Sequence, residues 1–268
     1  MKVLFSFIKM FLASIFGYRL YLVLGDTLVL DRYRWLLKRL PETRETLTLI
    51  DIGCGTGAFT LASAARGYDS IGLSWDKRNQ KEAQRSARKT NLSSKARFEI
   101  ADVRDLHLYD QYKEYFDVCI NFENIEHIID DRKVIHDIYR VLKPGGMLLL
   151  STPYYFYNPI TSADKGPLSK DEDGGHVRRG YTQSMLRELC KISGFQIEEI
   201  SSCSGFFSQK ITSIYRLFFG ISPFLAWIII LPFRFLPLFF DKLIKQIFGT
   251  IDYSICMVAI KPRYQKKS

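Results

Sequence analysis

LTLIDIGCGTGAF, residues 47–59, runs a short apolar segment into three closely spaced glycines and then into the start of a helix. An apolar run of this length, bounded by glycines, reads as a strand buried on both faces. Glycines at a strand-to-helix turn let the backbone approach a ligand closely, and the first N–H groups of the helix are free to meet a negative group. On its own the turn leaves the ligand open, because Gly53-x-Gly55-x-x-Ala58 also fits a dinucleotide-binding fingerprint.

Outward from this turn, strands and helices alternate. SIGLS (70–74), RFEIAD (97–102), FDVCINF (116–122), MLLLSTP (147–153), FQIEEIS (195–201) and YSICMVAIKP (253–262) read as further strands. Helices are predicted over 58–65, over the polar and basic stretch 76–90, over 132–142, where Lys143-Pro144-Gly145-Gly146 ends it, and over 183–193, capped by Thr182 and ended at Gly194. Alternation of this kind predicts an α/β protein with a parallel sheet covered by helices on both faces.

The whole string IDIGCGTGAF resembles motif I of the class I S-adenosylmethionine-dependent methyltransferases. IADVRDL (100–106) is similar to that family's third-strand motif. FDVCINFENIEHIIDD followed by RVLKPGGMLLLSTP resembles the FDxV…EHI…LKPGGxLLL run of its small-molecule and lipid branch, the type 11-like methyltransferases. These pieces stand in the family's order and cover roughly residues 47–155. The resemblance implies a Rossmann-like, doubly wound seven-stranded sheet, mostly parallel with the last strand antiparallel, and S-adenosylmethionine as cofactor. It implies that the turn of Gly53, Cys54, Gly55 and Gly57 cradles the methionine part, with Asp51 helping to hold it. It places Asp102 and Val103 at the adenine and Asn121 at the end of the fourth strand beside the cofactor.

At one point the sequence departs from the family. An acidic residue usually ends the second strand and binds the ribose hydroxyls; here IGLSWDK puts Ser74 at that place and Asp76 two residues on. Either Asp76 reaches back or Ser74 makes a weaker bond. Trp75 either lies against the adenine or is an exposed loop residue.

Once the methyl group is activated by the sulfonium, the protein has to align an acceptor and, where needed, remove a proton. His127 in EHI and His176 in DGGHVRRGYT are the candidate bases, because an imidazole titrates near neutrality. His127 equally suits a role in orienting the loop over the cofactor. Arg178 and Arg179 could pair with an anionic group on a substrate, with Tyr181 beside them, or could form a solvated surface pair. His107 and His136 read as surface residues.

The 268 residues carry 38 Lys and Arg against 28 Asp and Glu, for a net charge of +10, yet the mean hydropathy is close to zero. Apolar and basic residues are therefore concentrated in different places. Residues 203–250 hold a run rich in Phe, broken by Pro223, Pro232 and Pro237, with no charge between Arg216 and Arg234. Two membrane crossings need about 40 apolar residues, and this run falls far short. If the last strand returns to the same sheet, both ends of the insert lie on one side, so a single crossing is excluded. The segment is expected to lie in a membrane interface or dip into it; the competing reading is a buried helical subdomain acting as a hydrophobic lid.

Residues 1–24 are also apolar and aromatic, but Lys9 interrupts what would be the centre of an export signal, so an amphipathic helix is expected there, followed by a second over Leu30–Leu40 stopped by Pro41. The expected organisation is amphipathic helices over 1–45, a core over 46–202 and 251–263, and the aromatic insert over 203–250.

Basic residues from Lys77 to Arg97 face only Glu82, which points to an anionic membrane or to nucleic acid. The Asn/Asp-Pro-Pro-Tyr/Phe tetrad of base-amine methyltransferases is missing after the fourth strand, which reads NFENIEH, so nucleic acid is set aside. Cys54, Cys119, Cys190, Cys203 and Cys256 show neither a disulfide framework nor zinc-ligand spacing, which points to a reducing, cytoplasmic compartment and no metal. The expectation is a peripheral membrane methyltransferase acting on a lipid-like or apolar small molecule at oxygen or carbon. The alternatives are a soluble enzyme with a hydrophobic lid and a non-catalytic cofactor-binding anchor subunit.

Overall fold

The computed structural model describes residues 25–161, 164 and 166–263, together with Phe11, Gly17 and Arg19. The helix expected over 1–24 otherwise lies outside the described residues, as does the basic tail beyond Arg263. In chain order the elements are α1 (Thr27–Leu37), β1 (Thr48–Ile52), α2 (Ala58–Ala64), β2 (Asp69–Ser74), α3 (Lys77–Lys89), β3 (Ala96–Ile100), β4 (Phe116–Phe122) and α4 (Asp131–Val141). There follow β5 (Leu142–Pro153), α5 (Gln183–Ile192), β6 (Gln196–Cys203), α6 (Phe206–Phe219), α7 (Pro223–Ile230), α8 (Leu236–Phe248) and β7 (Ser254–Ile260).

The seven strands form one sheet in the order β3-β2-β1-β4-β5-β7-β6. All neighbours pair in parallel except β7, which runs antiparallel to both β5 and β6. This is the Rossmann-like arrangement with its last strand reversed. Successive strand side chains point to opposite faces, and the two faces carry separate cores. Ile50 and Ile52 pack with Ile135, Ile138 and Leu186 of α4 and α5. Leu49, Ile120 and Leu149 face the other way, against Trp35 and Leu36 of α1 and Leu40 beyond it.

Two boundaries differ from the sequence reading. Helix α1 starts three residues early, because the Asp26 carboxylate accepts the Leu28 N–H at 2.9 Å and fixes the N-terminus there. Lys143–Gly146 do not merely end a helix; they belong to β5, where Gly145 N donates to Lys261 O and Lys261 N donates to Gly146 O.

Strand β6 runs parallel to β1 and β4, so it ends at the same sheet edge as the glycine turn, and the insert leaves from that edge and returns to it. Asp241 of α8 accepts the Phe207 and Ser208 N–H groups at the start of α6. Thr212 and Arg216 of α6 reach Asp26, and Arg234 donates to Gly25 O at 2.7 Å. These bonds fix the three insert helices to the N-terminal end of α1, while their outer surface stays apolar and exposed, Phe235 at 63%, Phe239 at 71% and Phe248 at 70%. Among the described residues no single helix is long and apolar enough to cross a membrane; Pro223–Phe233 and Leu236–Phe248 reach that length only as a pair bent by 62°.

Candidate active site

At the end of β1 the chain turns through Gly53, Gly55 and Gly57, all with positive φ. A Cβ on Gly53 would lie 2.4 Å from Asn124 Oδ1, and one on Gly57 would strike the Phe98 ring at 2.5 Å, so both positions demand glycine for space as well as conformation. Gly55 meets nothing within 4 Å and faces a cavity of about 280 Å³ bounded by Cys54, Phe59 and Phe122 and, from the α1 side, Gly25 and Val29. The turn is therefore closed on its protein side and open on the other.

Asp51, the last acidic group before the turn, is 1% exposed and accepts the Thr60 hydroxyl at 2.7 Å. Burial pushes its carboxyl up to about 7. Asn121 donates to Ile52 O at 3.2 Å, which leaves its buried Oδ1 without a partner, and the buried Nδ2 of Asn124 is also unpartnered. Unpaired buried polar atoms are costly. Beside an open glycine cradle, they are an acceptor and a donor available to a polar ligand. The residues present thus fit the cofactor implied by the motifs.

Asp76 caps α3, accepting the Arg78 and Asn79 N–H groups at 2.7 and 3.4 Å, and these bonds hold its carboxyl below the usual range. Ser74, buried at the strand end, keeps the position where the family has its acid. Trp75 is 58% exposed, with its indole close to Gly174. Asp102 caps the turn that begins at the buried Val103 and holds the Arg104 guanidinium on both oxygens, which lowers its carboxyl. Arg104 also pairs with Glu172. Val177 N donates to Glu126 O at 3.0 Å, so residues 172–177 run along this edge of the sheet from Arg104 past Trp75 to the loop after β4.

The two candidate bases meet under that segment. The rings of His127 and His176 stand edge to face with centroids 4.6 Å apart. His127 Nδ1 lies 3.0 Å from Gly175 O, and since a carbonyl only accepts, Nδ1 carries the proton. Its Nε2 faces Glu126 Oε1 at 3.8 Å. Burial, reinforced by His127, lowers the pKa of His176, so it is a neutral imidazole at neutral pH. Glu126 is fully buried; burial and then the Glu123 charge drive its carboxyl far up, and Thr152 Oγ donates to it at 3.1 Å. Glu126, His127 and His176 each bring one potential ligand atom within 4.8 Å of the others.

The residues expected at a substrate anion are engaged with the protein. Arg178 donates to Ile128 O, Ile129 O and Tyr181 Oη and pairs with Asp131, while Arg179 donates to Tyr155 O and Tyr157 O. Tyr181 is 1% exposed and donates to Asp131 at 2.6 Å. Together they anchor the chain on the C-terminal side of His176. Sequence reasoning missed Glu123, Glu126 and Arg32. Glu123 Oε1 accepts the Ser151 and Ser254 hydroxyls and lies 3.4 Å from the buried Arg32. The available signal was two acids just before His127 in NFENIEH and an arginine inside an otherwise packed helix.

With this geometry in place, comparison with known proteins is informative. The family description "Methyltransferase domain" matches residues 50–150. The chain is 31% identical over 191 residues to a ubiquinone biosynthesis O-methyltransferase of Pseudomonas putida (strain W619), covering 69% of this chain and 78% of that one. A protein of the same description from Psychrobacter arcticus is 33% identical over 156 residues, 57% of this chain and 60% of the relative. A chloroplastic tocopherol O-methyltransferase of Arabidopsis thaliana is 30% identical over 151 residues, 56% of this chain and 39% of the relative. The chain spans 60% or less of the length of several curated relatives it matches. Among solved structures, a Haemonchus contortus phosphoethanolamine N-methyltransferase 2 in complex with S-adenosylhomocysteine superposes with a TM-score of 0.63 at 19% identity, over 90% of this chain and 56% of that one. That likeness is one of fold.

Proposed function

Since the chain belongs to the class I S-adenosylmethionine-dependent methyltransferases, we propose that it methylates an oxygen or carbon of a lipid-like or otherwise apolar small molecule at a membrane surface, on the cytoplasmic side. Relatives named for ubiquinone biosynthesis and for tocopherol support an apolar acceptor. The observation that carries the reading is topological: the glycine turn and the exposed aromatic insert share one edge of the sheet.

S-adenosylmethionine supplies an activated methyl group when bound. The Gly53–Gly57 turn, Asn121 and Asn124 would hold its amino-acid end, Ser74 its sugar, and Asp102 with Val103 its base. The rest falls to the chain's own side chains. His176, kept neutral by burial, accepts the acceptor hydroxyl's proton at a ring nitrogen. His127, held by Gly175 O, fixes the imidazole beside it. The 172–177 segment excludes water from the edge, and Arg178, Arg179 and Tyr181 keep that segment in place.

Calorimetric titration of the full chain with S-adenosylmethionine tests the first step: saturable binding is expected, and its absence would overturn the enzyme reading. Mass spectrometry of lipid extracts with and without the gene should show an unmethylated apolar species accumulating when the gene is absent. Vesicle flotation tests the membrane claim, since a purely soluble enzyme would stay at the bottom of the gradient.

A further inference from the structure

Away from the glycine turn, a groove of about 550 Å³ opens between α1, the end of β6 and α8. Five cations line it: Arg34 on α1, with Lys38 and Arg39 just past its end, and Lys242 and Lys245 on α8; Arg39 pairs with Glu199. Three carboxylates also line it, each with bonds inside the protein, although Asp31 Oδ2 has no partner. Asp241 accepts the N–H groups that open α6, Asp252 takes Lys245 and the Ser202 hydroxyl, and Asp31 pairs with Arg34. Among the described residues Lys38 and Lys242 have no ion-pair partner, and both are exposed. The groove thus carries more cations than carboxylates, and the N–H donors of Lys38 and Lys242 suit a phosphate group with its several acceptor oxygens.

Its position narrows the source of that phosphate. Leu238, half exposed, forms the rim one turn before Lys242, and next to it Phe239 is 71% exposed. Phe235, one turn earlier on the same side, is 63% exposed. A phosphate bound by Lys38 and Lys242 would therefore sit directly beside the apolar face. In a bilayer, phosphate and hydrocarbon meet at the same short separation, and amphipathic helices place Lys and Arg at that level.

We propose that this groove binds the headgroup phosphate of an anionic phospholipid while the α8 phenylalanines enter the acyl region. This rests on the membrane reading above and adds to it a specific headgroup site that would set the depth and orientation of the enzyme on the bilayer. The site is separate from the cofactor residues, so it orients the protein without taking part in methyl transfer.

The test uses the full chain and two kinds of probe. Flotation with phosphatidylcholine vesicles, with and without phosphatidylglycerol, should show stronger binding to the anionic set. The paired substitution Lys38→Gln with Lys242→Gln should reduce the phosphatidylglycerol-dependent part by about 30-fold and leave the phosphatidylcholine baseline intact. A control pair on the distant basic helix, Lys81→Gln with Arg85→Gln, should leave the preference in place; an equal loss in the control would reduce the effect to general charge and overturn the site. Calorimetry with dihexanoyl-phosphatidylglycerol below its micelle concentration, compared with inorganic phosphate, separates the two sources. Binding of the short-chain lipid alone, lost in the Lys38/Lys242 pair, is the expected result, and equal binding of inorganic phosphate would overturn the lipid assignment. If both vesicle types bind the wild type equally, the groove fails and the membrane reading stands. If neither binds, the membrane reading itself fails.

Discussion

Helices α4 and α8 are of similar length, and α8 is the more apolar of the two, yet it is α8 whose apolar residues stay exposed. In α4, Val134, Ile135, Ile138 and Val141 are all buried, each at 1% exposure or less, and the outward face is polar. In α8 the sequence LPLFFDKLIKQIF buries Pro237 alone, and Leu238, Phe239, Phe240, Leu243, Ile247 and Phe248 are all exposed. The first helix is explained by the sheet it covers. The second packs against α6 through Asp241 and the Phe207–Phe240 ring contact, but most of its apolar side chains stay exposed, and an exposed apolar area of this extent on a folded chain marks an interaction surface.

That contrast can be broken at either end, and the largest effect is expected in the core. Gly53→Val would combine a positive φ with a Cβ overlapping Asn124, costing roughly 3 kcal/mol of stability or more, and relief of that clash would displace Asn124 and the turn, so S-adenosylmethionine affinity should fall as well. Calorimetry checks the affinity, and unchanged binding would show that the turn does not approach the cofactor. Vesicle binding by the same variant should persist, because the insert does not depend on the turn.

On the insert side, Phe235→Ser with Phe239→Ser should leave the thermal midpoint nearly unchanged, since exposed substitutions usually shift stability by less than about 0.5 kcal/mol. The same pair should reduce vesicle partition by roughly 30-fold, because inserting a Phe side chain is worth about 1.5–3 kcal/mol when complete and less when partial. A marked drop in the midpoint instead would mean that these rings pack against the protein, and the difference between α4 and α8 would disappear.

The same contrast governs what could be read from the sequence. The glycine turn, the seven strands and the Thr182 cap follow from local rules of periodicity and capping, and the structure has them where those rules put them, to within a few residues. The Arg32–Glu123–Glu126 cluster was not legible, because it forms only when α1 lies across the ends of β4 and β7, an arrangement that no local pattern encodes. Arg178 and Arg179 illustrate the same limit. Their type and spacing suit an anionic substrate, but the carbonyls that engage them come from Ile128, Ile129, Tyr155 and Tyr157, distant in sequence and brought close by the sheet. Of the two candidates for the sugar, Asp76 spends its carboxylate on capping α3, a bond that follows from its place just before the helix, and Ser74 stays buried at the strand end.

The smallest predicted effect lies between the two regions, at His176. Burial and the neighbouring His127 disfavour its charged form, while Glu123 and Asp164 partly restore it, and the net shift is downward from 6.5. A base works only when unprotonated, so the rate of methyl transfer should hold as pH falls to 6.5 and decline only below it. The limb belongs to His176 if His176→Ala removes it and lowers kcat while the affinity for S-adenosylmethionine stays unchanged. A limb lying above 6.5, or one that survives the substitution, would transfer the proton to another group. The fully buried Glu126 is a poor candidate for that group, because burial and the nearby Glu123 charge disfavour its carboxylate form. His127 remains the nearest alternative, and its Nδ1 bond to Gly175 leaves Nε2 as the only ring nitrogen able to take the proton.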